Sequence, residues 1–203
     1  MTIASRSQEK LDAAANRIGG GVRMLTVDTL NEESVEGLFA RLGEVEHVVM
    51  SAAEIAVAPE ALPSTADAQA LMNSKFWGAY RIARAAHIAA NGSLTLISGA
   101  ASVRPSKGRV LQSAINAAVE ALARSLALEL APVRVNAVSP GMVDTPLLAG
   151  ADPAFRAQLL ERARQLPTGR LGQPADIALQ VLACMANPFM TGSIIYLEGG
   201  VLL

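Results

Sequence analysis

Short apolar runs alternate with longer segments of helical period along the 203 residues. The runs predict strands at Thr2 to Ala4, Val22 to Val27, Val45 to Ser51, Ser93 to Ile97, Val133 to Val138 and Ile194 to Leu197. Several are apolar throughout, the pattern of strands buried on both faces of a parallel sheet. Helices are predicted over Gln8 to Ile18, Glu33 to Leu42, Ala66 to Ala89, Ser113 to Leu130 and Pro174 to Met185, with a pair of short ones between Pro153 and Gln165. Asn31 ahead of Glu32 and Glu33 reads as an N-cap, and Asp152-Pro153 and Gln173-Pro174 read as helix starts. The alternation implies an α/β fold, a doubly wound parallel sheet in three layers, as one domain over residues 1–203. The segment from Met142 to Gln173 is long for a connection, which suggests a lid over a site. The early glycine cluster, Gly19 to Gly21, follows a helix and precedes a strand, so it ends that helix and does not cradle a phosphate.

Composition changes this picture in three places. The chain is 51% hydrophobic but only 3% aromatic, so its core is aliphatic; the positive mean hydropathy points to apolar surface covered by another copy, a homo-oligomer. A formal charge of −1 without blocks of either sign predicts no nucleic acid and no membrane partner and favours a small-molecule substrate. Cys184 lies in the apolar run "LQVLACMAN" and reads as a buried, inert thiol, while His47 and His87 have no neighbours at ligand spacing, so no metal is expected. The opening "MTIASRS" lacks the pattern of a signal peptide, and no apolar run reaches the roughly 20 residues of a membrane span. The chain reads as soluble and cytoplasmic.

The segments "SRS", "TVD", "LMNSKFWGAY", "LISG", "RSLALELAPVRVNAVSPGMVDTPL" and "TGSIIYLEGG", taken in register with the strands, resemble the short-chain dehydrogenase/reductase family over nearly the whole chain. The resemblance implies a Rossmann-type sheet, NADP or NAD as cofactor, and hydride transfer between a carbonyl and an alcohol. The family's first strand and its TGxxxGxG turn have no counterpart, since residue 2 already corresponds to the second strand. The sheet is therefore expected to lack its usual first, central strand, and the chain to be a shortened version of a longer one, by a late-assigned start or by natural loss. The remaining cofactor positions implied by the family are Arg6, facing a 2′-phosphate; Asp28, holding the adenine; Ser51 and Ala52, where relatives write Asn-Asn-Ala-Gly; and Pro140, Gly141, Val143 and Thr145 at the nicotinamide.

Relatives carry a tyrosine acid-base, a lysine four residues later on the same helix face, a serine that polarises the carbonyl, and an asparagine in a proton relay. In this chain the tyrosine and lysine positions are Gln112 and Asn116. Glutamine exchanges no proton near neutrality, and neutral asparagine supplies no cationic field. The serine position is Gly99, with Ser98 beside it, and Asn73 matches the asparagine. The catalytic candidates are thus Asn73 and Ser98; Ser102, Ser106, Lys107, Arg109 and Ser113 lie nearby, the two cations reading as solvated loop charges. The expectation is an NAD(P)-dependent oxidoreductase that is weak or inactive as this chain, with a non-catalytic, self-associating binding or regulatory module as the alternative. The family implies a dimer or tetramer through the helices at 66–89 and 113–130.

Overall fold

The computed structural model describes residues 1–53, 62–149 and 152–203. The six strands among these residues lie where the apolar runs do: β1 (Thr2–Ser5), β2 (Arg23–Thr26), β3 (Val45–Met50), β4 (Ile88–Ile97), β5 (Arg134–Pro140) and β6 (Ile194–Leu197). All the pairings are parallel, with helices as crossovers. The sheet is interrupted, however. β1 pairs with β2 alone, and β3-β4-β5-β6 form a separate ladder. The Rossmann-like architecture is present with the interruption where the usual first strand would run.

The helices start and stop by local chemistry. For α1 (Gln8–Ile18) the Ser7 hydroxyl accepts the Lys10 N–H, and for α2 (Glu32–Leu42) the Asn31 side chain accepts the Ser34 N–H. The expected single helix from Ala66 to Ala89 is three pieces: α3 (Thr65–Met72), a π-helical turn (Asn73–Trp77) and α4 (Gly78–Ala85). It ends four residues early because β4 begins at Ile88, well before the predicted Ser93. The Val45 N–H donates to the His87 carbonyl, and Val45 pairs with Ile88. Strand pairing thus overrides the helix preference of the alanines at 86, 89 and 90. A register shift between Val45 and His47 requires Gly92: a Cβ there would fall 2.1 Å from the Glu46 carbonyl oxygen.

Helix α5 (Val110–Glu129) begins three residues before the predicted Ser113, so Gln112 lies in its first turn. The long segment after β5 is not an open loop. It forms α6 (Pro146–Ala149) and α7 (Pro153–Arg164), and Leu148, Ala163 and Leu171 make a small core against Met142, Phe155 and Leu159. Positions 150–151 of that expected lid lie outside the described residues. Its two ends are clasped, with Val143 bridging Gly172, before α8 (Pro174–Ala186) opens with a Gln173/Asp176 capping box.

One core spans both strand groups. Leu25, Val35, Leu38 and Phe39 of the N-terminal part are buried together with Met50, Leu94, Val119 and Val135. Among the described residues no ladder bonds join the groups; side chains do. Arg81 donates to the Thr29 carbonyl, Arg84 pairs with Glu32, and Gly78 lets Met50 and Thr29 close on α4. Among the described residues no helix is long and apolar enough to cross a membrane, and no group of three potential metal ligands occurs.

Candidate active site

Buried residues of α5 fall at Ile115, Asn116, Val119, Glu120 and Ala123, one stripe at helical spacing. Two of the five are polar, and both sit where β4 and β5 end. Asn116 is 8% exposed and Glu120 4%. Burial of this kind is tolerated only with hydrogen-bond partners, and each residue has its own set.

Glu120 is a hub of hydroxyls. Its Oε1 accepts from Ser98 (2.9 Å), Ser102 (2.6 Å) and Ser139 (3.0 Å), and its Oε2 accepts from Tyr196 of β6 (2.9 Å). Hydrogen bonds to an ionised acceptor contribute roughly 1.5–3 kcal/mol each, so four donors offset much of the desolvation of the carboxylate. Burial and the adjacent carboxylate both hold the Tyr196 phenol above its ordinary pKa, burial being the larger cause. Tyr196 therefore stays a donor at any physiological pH.

Asn116 is met by a lysine from the π-helical turn. The Lys75 ammonium donates to Asn116 Oδ1 (2.6 Å) and to the Ser98 carbonyl oxygen (2.8 Å). Burial lowers its pKa from 10.5 to about 8, with the Glu120 charge opposing. Gly99 makes the arrangement possible. A Cβ on Gly99 would lie 2.7 Å from Asn116 Nδ2, so the amide fills the space a serine would need.

The sequence-predicted residues separate in the structure. Ser98 is in the cluster, but its hydroxyl is spent on Glu120 and it offers Lys75 only its carbonyl. Asn73 faces elsewhere, its Oδ1 accepting from Arg81 Nη2 (2.8 Å). Gln112 is held by Arg109 (2.8 Å), which tempers the reading of Arg109 as a solvated charge. Lys75, Glu120 and Tyr196 were missed. Glu120 carried a signal, standing one turn after Asn116 in an apolar helix; Lys75 stood two residues after Asn73; Tyr196 carried none.

The cofactor candidates occupy strand ends, as ligand-binding residues of open α/β sheets do. Arg6 is exposed after β1. Asp28, beyond β2, uses Oδ1 for the Leu30 N–H, and Oδ2 has no partner among the described residues. Ser51 and Ala52 are exposed after β3. Pro140 closes β5, and Gly141 lets that exit press on β6, a Cβ there falling 2.7 Å from Glu198 Cα. Val143 is pinned by its bridge to Gly172, and the half-buried Thr145 keeps an unengaged hydroxyl. Asp28 Oδ2 and the Thr145 hydroxyl are polar groups of this set that engage no described residue. A glycine turn for the pyrophosphate is not among the described residues, since Ser5 to Ser7 link β1 to α1. Cys184 is buried, and burial raises its thiol pKa, in keeping with an inert core cysteine.

The family model described as "Enoyl-(Acyl carrier protein) reductase" matches residues 1–202. The chain belongs to the short-chain dehydrogenase/reductase family. It is 29% identical to the carbonyl reductase family member 4 of Danio rerio, covering all of this chain and 87% of that protein. It is 31% identical to the short-chain dehydrogenase/reductase ucsE of Acremonium sp., over all of this chain and 86% of the relative. A small-chain dehydrogenase solved in complex with NADPH superposes with a TM-score of 0.80 at 30% identity, over 99% of this chain and 97% of that one. The NADPH-bound short chain oxidoreductase of Pseudomonas aeruginosa PAO1, described as containing an atypical catalytic center, superposes with a TM-score of 0.88 at 27% identity, over 98% of this chain and 86% of its own.

Proposed function

We propose that this chain is an NAD(P)-dependent oxidoreductase of carbonyl or alcohol groups in which proton transfer does not use the family's tyrosine and lysine, so turnover is slow. The observation that carries the reading is the state of those two positions: Gln112 is tied to Arg109, and Asn116 to Lys75. Family membership and NADPH-bound neighbours support the cofactor class. When bound, a nicotinamide supplies the hydride; Asp28, Ser51, Ala52, Pro140, Gly141, Val143 and Thr145 would hold it, with Arg6 placed for a 2′-phosphate. General acid-base help contributes on the order of 100-fold to 10,000-fold, and this site forgoes the tyrosine's share. Titration of NADPH and NADH, followed by cofactor fluorescence and calorimetry, tests the reading: weak saturable binding is expected, and no signal with either at millimolar concentration would overturn it.

The second reading, a self-associating module without catalysis, has one specific support. The outward face of α5 carries Ala114, Ala117, Ala121 and Leu128, all exposed, and Trp77 and Tyr80 are exposed in the preceding helical segment. Small residues beside large aromatic ones suit close packing against a twin helix. Ala121→Glu should then reduce the mass seen by light scattering to that of a monomer; an unchanged mass would count against this interface. A cytoplasmic location and a small-molecule substrate belong to the same proposal.

A further inference from the structure

The Asn116 amide is more than nine-tenths buried, yet only half of it is engaged. An ammonium can only donate, so the contact with Lys75 fixes the oxygen of the amide toward Lys75 and the nitrogen away from it. That nitrogen projects over Gly99, has no partner among the described residues, and is not sealed from solvent. The side chain as a whole is buried while this one donor stays reachable from outside, so a partner from solution can satisfy it.

We infer that Asn116 Nδ2 is an oxygen-binding donor, oriented and polarised by Lys75, that receives a carbonyl or carboxylate oxygen of a ligand reaching the amide from the solvent side. The positive charge on Oδ1 strengthens the N–H groups on the other side of the same amide, as linked hydrogen bonds do. Asn116 is the ligand-touching residue and Lys75 the positioning residue. The charged and titratable groups around the pair are Glu120 from α5, Tyr196 from β6 beyond it, and Arg81 on the helix of Lys75, which is committed to Asn73 and Thr29. Because Lys75 titrates near pH 8, oxygen binding weakens as pH rises through that value.

The inference rests on the oxidoreductase reading only for the identity of the oxygen, so its test omits the cofactor. The probe is acetate, and the readout is the NMR shift of the Asn116 amide carbon. Saturable acetate-induced movement is expected near pH 7, with affinity falling on the order of tenfold by pH 9 as Lys75 deprotonates. Lys75→Met should weaken binding by about the same factor and remove the pH dependence, while Lys75→Arg should restore binding with no inflection near pH 8. Gly99→Ala, which leaves both partners in place but crowds the amide, should abolish the movement. An amide carbon that ignores acetate, or a pH dependence that survives in Lys75→Met, would overturn the inference. Acetate binding without any NADPH binding would retain it and remove the oxidoreductase reading instead.

Discussion

β3 and β5 are both apolar-rich parallel strands, yet they have different fates. In β5, Arg134 to Ser139 are all buried, whereas β3 leaves Glu46, His47 and Val49 exposed. β5 has a neighbour on each side; β3 has β4 on one side and, among the described residues, no strand on the other. The difference shows that a strand's burial belongs to its neighbours as much as to its own residues. It also shows two ways of holding a parallel strand in place. β5 is held by ladders, with Arg134 further anchored on the Cys184, Met185 and Met190 carbonyls. Among the described residues the pair β1-β2 is held to the rest by side-chain contacts, chiefly through α2 against α4.

If that distinction is right, weakening the side-chain contact should release the N-terminal part first. Phe39 of α2 is 3% exposed, and Phe39→Ala should destabilise by about 3–5 kcal/mol through cavity formation. Hydrogen exchange should then show residues 1–42 opening ahead of β4 and β5. Uniform acceleration across the chain would instead mean that both parts unfold as one unit.

A smaller effect is expected inside the intact sheet. Glu120→Gln removes the charge that four hydroxyls address and leaves at least one of them unsatisfied, at about 1–3 kcal/mol in denaturant unfolding. It also removes the anion that raises the Lys75 pKa, so the inflection assigned to Lys75 should move below pH 8. The sign for stability follows from linkage. Lys75 has a folded pKa below its unfolded value, so the unfolded chain binds more protons between about pH 8 and 10.5, and the Lys75 contribution to stability rises with pH across that window. The difference in unfolding free energy between wild type and Lys75→Met checks that slope; a difference independent of pH would mean that Lys75 is not desolvated.

Much of the fold was legible because its signals are local. Asn31 caps, Gly19 ends a helix, and the apolar runs mark every strand of the described residues within a few residues, β4 excepted. The β4 start was hidden because the alanines around His87 suit a helix, and only pairing with Val45 decides otherwise. The site was legible by half. The polar pair Gln112 and Asn116 could be singled out in the sequence, but the contacts that hold them could not. Lys75 and Asn116 are 41 positions apart, and Glu120 and Tyr196 are 76 apart.

Taken alone, the order of residues determined the α/β class, the family and the strand positions. These depend on periodicity, capping and motif spacing, which act within a few turns of chain. The tertiary structure decided that β1-β2 and β3-β4-β5-β6 stay separate ladders, that Ser98 turns its hydroxyl to Glu120, and that a lysine from the π-helical turn reaches Asn116. Those outcomes depend on which distant groups meet in a desolvated interior, where an unpaired donor or charge is costly and each polar side chain must take the partner that packing brings to it.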